Sequence, residues 1–311
     1  MKQSKGEPTA AIKRAAIHHS ARSGLHSTGV LTPVPYHAGS GEPLVLLHGF
    51  TDTWRGWTPI LAALSAHHEV YAWSLAGHVG GDPWDRSVPL TITTSVDVVE
   101  RQLDALGLDR VHVVGNSLGG WLALELAVRG RALSVVGVCP AGGWEPGSRE
   151  ERTAAGVFRR NQLLLRFFGP LLPFVARFAV LRRIALRDMV ADGRKVPPAS
   201  AVAMFEGARG CAIIDDVLGL VGTGETFGDL GSIDCPVRIM YGSQDRLLRW
   251  PNYYARMRRL LPDADWVRLN GLGHLAMWDS PETVAGAIVE HTSRALGRAE
   301  QRPPIEPTGA A

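Results

Sequence analysis

The residue best suited to chemistry in this 311-residue chain is Ser117, at the centre of Gly115-Asn116-Ser117-Leu118-Gly119. An apolar run, residues 111–114, precedes this motif, and a run of helical composition, residues 121–127, follows it. A strand, a Gly-x-Ser-x-Gly turn and a helix hold a serine in a strained conformation that exposes its hydroxyl. The glycines let strand and helix approach, and the helix directs N–H groups at the reacting centre. We interpret the motif as a nucleophile elbow rather than an ordinary turn with a capping serine.

A serine hydroxyl needs a base within hydrogen-bond reach, and that base needs an orienting acid. In chains with such an elbow, the acid and then a histidine follow the serine. Asp245 comes after the mostly apolar run 237–241, and His274 comes after the mostly apolar run 266–269, in a glycine-rich loop. Because the carboxyl ends of parallel strands share one sheet edge, we predict that Ser117, His274 and Asp245 form a catalytic triad.

Acyl transfer also needs two donors for the negative oxygen that develops on the substrate. The backbone N–H of Leu118 is the first candidate. The loop His48-Gly49-Phe50-Thr51, after the first parallel strand, offers the N–H of Phe50 as the second. We interpret His48 itself as a buried structural residue.

Composition limits the possible classes of protein. The chain is 45% hydrophobic and 20% charged, with a formal net charge of +3, which is typical of a globular protein and gives no indication of nucleic-acid binding. No apolar run approaches the ~20 residues of a membrane span, and the polar start lacks a signal-peptide core. The three cysteines, Cys139, Cys211 and Cys235, favour a reducing compartment, and none has metal-ligand spacing. We therefore expect a cytoplasmic protein without metal or cofactor.

Short apolar runs alternate with segments of helical length, which predicts an α/β fold with a mostly parallel sheet covered by helices on both faces. The predicted strands are 44–47, 70–74, 111–114, 135–139, 237–241 and 266–269, with an earlier antiparallel strand near 30–38. The predicted helices are 56–66, 92–106, 118–129, 251–260 and 281–296. We place Asp279 at the N-terminus of the last helix.

The alternation divides the chain into segments. We expect a flexible N-terminal arm over 1–25, a core over 26–143 and 227–298, and a disordered tail over 299–311. Residues 144–226 have helical patterns without a strand, so we interpret them as a helical cap above the sheet's carboxyl edge.

These landmarks together resemble the α/β-hydrolase superfamily, in its serine-nucleophile, cap-bearing branch. They are His48-Gly49-Phe50, the Ser117 elbow, Cys235-Pro236-Val237 leading to Asp245, and Gly273-His274 leading to Ser280-Pro281. The resemblance implies an eight-stranded sheet, the triad named above and acyl transfer through Ser117. A serine in the elbow, where epoxide hydrolases and haloalkane dehalogenases carry an aspartate, argues against those two branches.

The cap sets the substrate, so several functions stay open. We expect a serine hydrolase that cleaves a carboxylic ester, or a related lactone or thioester, of a small apolar substrate. Asn116 is similar to elbows of carbon–carbon hydrolases that act on ring-fission products, which gives one alternative. A cofactor-free perhydrolase and a catalytically silent ligand-binding scaffold are others.

The predicted cap is basic and apolar. Residues 157–195 contain eight Arg and one Lys against two Asp. We expect its apolar faces to pack over the pocket while the arginines stay in water, and we keep contact with a lipid surface as the alternative. The candidate pocket-wall residues are Trp54, Trp57, Trp121 and Trp144. The sequence gives no indication of oligomeric state.

Overall fold

The computed structural model describes residues 35–300, with side chains described as far as residue 295. The expected N-terminal arm over 1–25 lies outside the described residues. So does the expected tail, apart from residues 299 and 300.

The described residues form one seven-stranded sheet with the order β1-β3-β2-β4-β5-β6-β7. Only β1 runs antiparallel, against β3; the other pairs are parallel. The strands are β1 (Tyr36–Ala38), β2 (Pro43–Leu47), β3 (Glu69–Ala72), β4 (Val111–Asn116), β5 (Ala132–Val138), β6 (Val237–Gly242) and β7 (Asp265–Leu269). The predicted fold class is confirmed, but the implied eight strands are not reached within residues 35–300.

Helices cover both faces of the sheet, so its central strands are almost entirely buried, as their mostly apolar sequences require. The helices are α1 (Leu61–Ser65), α2 (Ile92–Ala105), α3 (Leu118–Val128), α4 (Arg149–Phe168), α5 (Leu172–Arg177), α6 (Ala179–Ala185), α7 (Pro198–Gly210), α8 (Ile214–Gly219), α9 (Ala255–Leu260), α10 (Ala276–Asp279) and α11 (Pro281–Glu300). Two predicted helices begin as short 3-10 turns, at Trp54–Trp57 before α1 and at Asn252–Tyr254 before α9.

Five helices, α4 to α8, lie between β5 and β6, and the described chain contains no strand between these two. We call residues 149–219 the helical insertion. β5 and β6 are parallel neighbours in the sheet. The chain therefore leaves the sheet at the carboxyl end of β5 and must return to the amino end of β6, at the opposite edge. The insertion is therefore anchored beside the edge at which the predicted site residues lie.

No helix in the described part of the chain is both long enough and apolar enough to span a membrane.

Candidate active site

Ser117 lies in a sharp turn between β4 and α3, with φ of 52° and ψ of −115°, a conformation that non-glycine residues rarely adopt. The turn is possible because neighbouring positions lack a side chain. A Cβ at Gly115 would lie 2.1 Å from the carbonyl oxygen of Gly119, and a Cβ at Gly119 would lie 2.1 Å from that of Leu47. The strain holds Ser117 at the N-terminus of α3, where unpaired N–H groups and the helix dipole favour negative charge.

Asp245 and His274 meet at the carboxyl end of the sheet, after β6 and β7 respectively. His274 Nδ1 lies 2.7 Å from Asp245 Oδ2, and both side chains are almost fully buried. The other carboxylate oxygen accepts the backbone N–H groups of Leu247 and Leu248, each at 2.8 Å. Asp245 is thus held by three donors, which fixes the imidazole ring that it orients.

Ser117 and His274 line one cavity. No hydrogen bond joins the two side chains in the part of the chain that the structure describes. The hydrogen bond between a serine and its general base is often long before substrate binds. The relevant observation is therefore that both side chains line the same cavity. The structure thus joins His274 to Asp245 directly and brings Ser117 to the same cavity wall.

The backbone N–H groups of Phe50 and Leu118 donate to no other group among residues 35–300. Thr51, directly after Phe50, adopts φ of 67°, and the N–H of Asp52 donates to the Gly49 carbonyl at 3.1 Å. This tight turn presents the loop after β2 to the elbow. Two free N–H groups near Ser117 are what a developing oxyanion requires.

His48 is buried and its Nε2 accepts the N–H of Leu75 at 2.8 Å. Burial lowers the pKa of His48 well below its usual value, and the neighbouring His78 lowers it further. The ring is therefore neutral and structural, as expected from the sequence.

Asn116 holds the histidine loop in place, a role that the sequence did not indicate. Its Nδ2 donates to the carbonyl oxygens of His274, at 3.1 Å, and Val138, at 2.9 Å. Its Oδ1 is buried without a partner in the described structure and faces Gly49, where a Cβ would lie 2.9 Å away. The amide therefore links the elbow, β5 and the His274 loop.

The position expected for Asp279 is wrong. It ends α10 instead of starting α11, and its buried carboxylate accepts N–H groups from Gly273 at 2.8 Å, Ala191 at 2.9 Å and Asp192 at 3.2 Å. The N–H of Leu275 also donates to the Met189 carbonyl at 2.7 Å. These contacts fasten the segment after α6 to both sides of His274. A local pattern cannot reveal this role, because Ala191 and Asp192 are more than 80 residues away in the sequence.

Asp52 is a second acidic side chain near the site. It lines the same cavity as Ser117 and His274. Burial raises the pKa of the Asp52 carboxyl to about 7, although the N–H of Thr53 and the charge of His274 act in the opposite direction. The carboxyl therefore changes charge near neutral pH within reach of the candidate catalytic histidine.

Two cavities meet at Ser117. Cavity A, of about 1040 Å³ including space open to solvent, contains His274 and Asp52 and reaches α4 and α7 of the helical insertion. Cavity B, of about 730 Å³ on the same basis, lies on the other side of Phe50 and is bounded by Trp121, Trp144 and Val217. Phe50 and Ser117 line both cavities. A substrate bond at Ser117 can therefore carry an apolar group on each side.

The expected wall residues divide into two pairs. Trp121 and Trp144 line cavity B, with their rings edge to face at 6.2 Å. Trp57 is fully buried in the core between sheet and helices, and Trp54 packs against the same core. The expectation for Trp54 and Trp57 is wrong, because neither residue lines cavity A or cavity B.

Among the residues that the structure describes, Cys139 is the one neighbour of the His–Asp pair with a further potential metal-ligating atom. Atoms of Cys139, Asp245 and His274 lie within 4.8 Å of one another. Burial raises the pKa of the Cys139 thiol well above its usual value, with the charge of Asp245 adding to the effect. A neutral thiol beside a carboxylate that already accepts three N–H groups is a poor metal site.

The fold and the position of the elbow are those of the α/β hydrolases. The model of the Alpha/beta hydrolase family matches residues 44–287, and the chain belongs to this family.

Relatives in this family have different hydrolase activities. The chain is 31% identical to epoxide hydrolase EphH of Mycobacterium tuberculosis over 193 residues, which are 62% of this chain and 90% of that protein. It is 28% identical to the pimeloyl-[acyl-carrier protein] methyl ester esterase of Nitrosospira multiformis, over 81% of this chain and 94% of the relative. It is 36% identical to the 2-hydroxy-6-oxo-2,4-heptadienoate hydrolase of Pseudomonas putida, but only over 30% of this chain and 35% of the relative.

Among solved structures, an esterase from Thermogutta terrifontis superposes with a TM-score of 0.64 at 21% identity, covering 85% of this chain and 97% of the esterase. A likeness at this identity shows the fold. The hydrolase relatives support hydrolase activity for this chain.

Proposed function

We propose that this protein is a serine hydrolase that cleaves a carboxylic ester, or a related acyl bond, of a small apolar substrate. The observation that carries the proposal is the buried His274–Asp245 hydrogen bond of 2.7 Å beside a cavity that also contains the strained Ser117. A general base with a fixed acid partner, facing a serine at a helix N-terminus, is the arrangement that acyl transfer requires.

In the first half-reaction, Ser117 Oγ attacks the carbonyl carbon and His274 Nε2 takes the hydroxyl proton. The carbonyl oxygen becomes negative and accepts the N–H groups of Phe50 and Leu118. The carbon–oxygen bond then breaks, His274 returns the proton to the leaving alcohol, and the acyl group stays on Ser117. Asp245 keeps the ring oriented and stabilises its positive charge.

In the second half-reaction, His274 takes a proton from water, whose oxygen attacks the acyl carbon. Collapse of the second tetrahedral intermediate breaks the bond to Ser117, and His274 returns the proton to the serine oxygen. The products are the carboxylic acid and free enzyme. The two cavities suit this sequence, because His274, which protonates the alcohol, faces cavity A. We assign the alcohol group to cavity A and the acyl group to the more apolar cavity B.

We further propose that the helical insertion acts as a cap. Residues of α4 and α7 form walls of cavity A, and residues of α4 and α8 form walls of cavity B. Substrate entry and selectivity then depend on these helices rather than on the sheet.

Similarity to an epoxide hydrolase does not change the preferred bond. Attack of a serine oxygen on an epoxide carbon would leave an ether, which has no carbonyl group for water to attack in a second step. An elbow serine therefore suits an acyl substrate, whose serine ester water can hydrolyse.

The test is Ser117→Ala, with Ser87→Ala, an exposed serine outside both cavities, as the matched control. We expect Ser117→Ala to reduce hydrolysis of p-nitrophenyl esters by at least about 10³-fold and to abolish labelling by a fluorophosphonate probe, with an unchanged circular dichroism spectrum. Ser87→Ala should keep both. Equal labelling of Ser117→Ala and the native protein would refute the assignment, and a folded native protein that neither labels nor hydrolyses esters would favour the ligand-binding scaffold.

A second candidate is hydrolysis of a carbon–carbon bond, which the 36% identity to the heptadienoate hydrolase favours. Asn116, the feature of the sequence that suggested it, has a positioning role here, because its amide holds two backbone carbonyls. Decay of a coloured ring-fission dienoate with purified protein, faster than ester hydrolysis, would favour this candidate over the ester.

A further inference from the structure

The helical insertion exposes an unusual amount of apolar surface. Of the ten exposed large apolar side chains among the described residues, nine lie between residues 163 and 184. We call these nine the exposed apolar surface; its most exposed members are Phe167 at 69%, Val180 at 65% and Ile184 at 60%. The tenth, Val79, lies outside the insertion. Concentration of such residues in one segment marks an interaction site.

The exposed side chains share helix faces. In α4, residues 163, 164, 167 and 168 recur at the spacing of one helical face, and in α6 residues 180 and 184 are one turn apart. Other apolar residues of this segment, Leu165 in α4 and Ala176 in α5, are buried. α4 and α5 thus have both buried and exposed apolar residues, so packing against the core does not explain the exposed set.

The surface is also positively charged. Residues 152–187 contain eight arginines and no Asp, Glu or Lys. All of these arginines except Arg182 are exposed. Arg166 and Arg177 form neither a salt bridge nor a side-chain hydrogen bond with any other described residue. An apolar face beside unpaired arginines is complementary to the headgroup region of an anionic lipid bilayer.

Cavity A opens through this surface. Leu164 and Phe168 are about half exposed, and both also line the cavity that contains Ser117. An amphiphile in the bilayer could therefore move from the lipid to Ser117 along continuous apolar walls.

We propose that the exposed apolar surface, with its arginines, docks the protein onto an anionic lipid bilayer. A second copy of this chain fits less well, because a symmetric dimer would bring the same arginines face to face. An acidic protein partner would cover the mouth of cavity A, whereas fluid lipid leaves it open to an amphiphile. Docking itself requires no chemistry at Ser117.

The test is sedimentation of the full chain with vesicles of phosphatidylcholine alone or with about 30 mol% phosphatidylglycerol. We expect binding to the anionic vesicles that weakens at least tenfold between about 0.05 M and about 0.5 M NaCl. Phe167→Ser/Phe174→Ser and Arg166→Gln/Arg177→Gln should each weaken binding at least tenfold. The matched controls are Val79→Ser, at the remaining exposed apolar side chain, and Arg101→Gln/Arg268→Gln, which makes the same charge change elsewhere.

Absence of binding to the anionic vesicles at low salt would overturn the proposal. Equal losses in surface and control variants would also overturn it, because binding would then reflect net charge. A concentration-dependent dimer that Phe167→Ser/Phe174→Ser dissociates would show that a second copy covers the surface instead. Ser117→Ala should bind vesicles as the native protein does, so failure of the ester-hydrolase proposal and failure of docking give different results.

Discussion

Asp52→Asn should change the pH dependence of stability in a defined direction. In the folded protein the pKa of Asp52 is raised from 3.8 to about 7, mainly by burial. Between about pH 4 and pH 7 the folded state therefore binds a proton that the unfolded state has released. Since stability rises with pH only where the unfolded state binds more protons, this group makes the fold less stable as the pH rises through that window.

The difference of about three pH units corresponds to at most about 4 kcal/mol, at about 1.4 kcal/mol per unit. Asp52 lines a cavity that opens to solvent, and screening reduces the effect, so we expect about 2 kcal/mol. The asparagine keeps a carbonyl oxygen for the N–H of Thr53, which donates to Asp52 Oδ1 at 2.8 Å. It stays neutral at every pH, so it removes the titration while preserving the shape.

The assay is urea unfolding of the native protein and of Asp52→Asn between pH 4.5 and pH 8. In the difference between the two free energies of unfolding, the contributions of the other titrating groups cancel. As the pH rises, the stability of Asp52→Asn relative to the native protein should increase by about 2 kcal/mol. Asp192→Asn is the control that should stay nearly flat, because a hydrogen bond from Arg194 lowers the pKa of Asp192 to about 2, so this carboxyl is charged in both the folded and the unfolded state across this range. A difference for Asp52→Asn that is flat across this range would refute the reasoning.

Three further substitutions test the support of the His274 loop, the assignment of the acyl group to cavity B, and the close packing at the elbow. Asp279→Ala should lower the free energy of unfolding by about 2–4 kcal/mol in urea unfolding, because three backbone N–H groups lose their acceptor. It should also lower kcat for an ester in steady-state kinetics, because the His274 loop loses a support. An unchanged kcat would contradict this second expectation. Val217→Phe, which narrows cavity B, should lower kcat/KM for p-nitrophenyl octanoate at least tenfold more than for the acetate; equal losses would place the acyl group elsewhere. Gly119→Ala should destabilise the protein by at least about 3 kcal/mol in urea unfolding, because the added Cβ would clash with two backbone oxygens. The control Gly156→Ala lies in open space on α4 and should stabilise the protein by roughly 0.5–1 kcal/mol. Equal effects of the two substitutions would contradict the steric argument.

The sequence predicted those features whose causes are local. Glycines at 115 and 119 around Ser117 indicate close approach of β4 and α3, and the structure shows backbone atoms where their side chains would be. Asp245 and His274 each follow an apolar run, and parallel strands bring the ends of such runs to one sheet edge. The fold class was therefore predictable, and so was the meeting of these two side chains.

Features that depend on distant packing were not predictable. The raised pKa of Asp52 arises from burial between the loop after β2 and the helical insertion, which no pattern around residue 52 indicates. The contacts of Asp279 with Ala191 and Asp192 join segments that the sequence separates widely. The same is true of the exposed apolar surface, because helical periodicity shows which residues share a face but not which face meets solvent.

The contacts around His274 suggest why its loop needs so many supports. A general base, the role proposed for His274, must hold its position to within about 0.5 Å, yet a glycine-rich loop has little packing of its own. Asp245 holds the ring, Asn116 holds the carbonyl of His274, and Asp279 holds the preceding N–H of Gly273. Two of these groups belong to the sheet edge, whereas Asp279 also binds the helical insertion at Ala191. The position of His274 therefore depends on contacts from both the core and the helical insertion. Substitutions that loosen the insertion should affect the rate of the chemical step as well as substrate affinity.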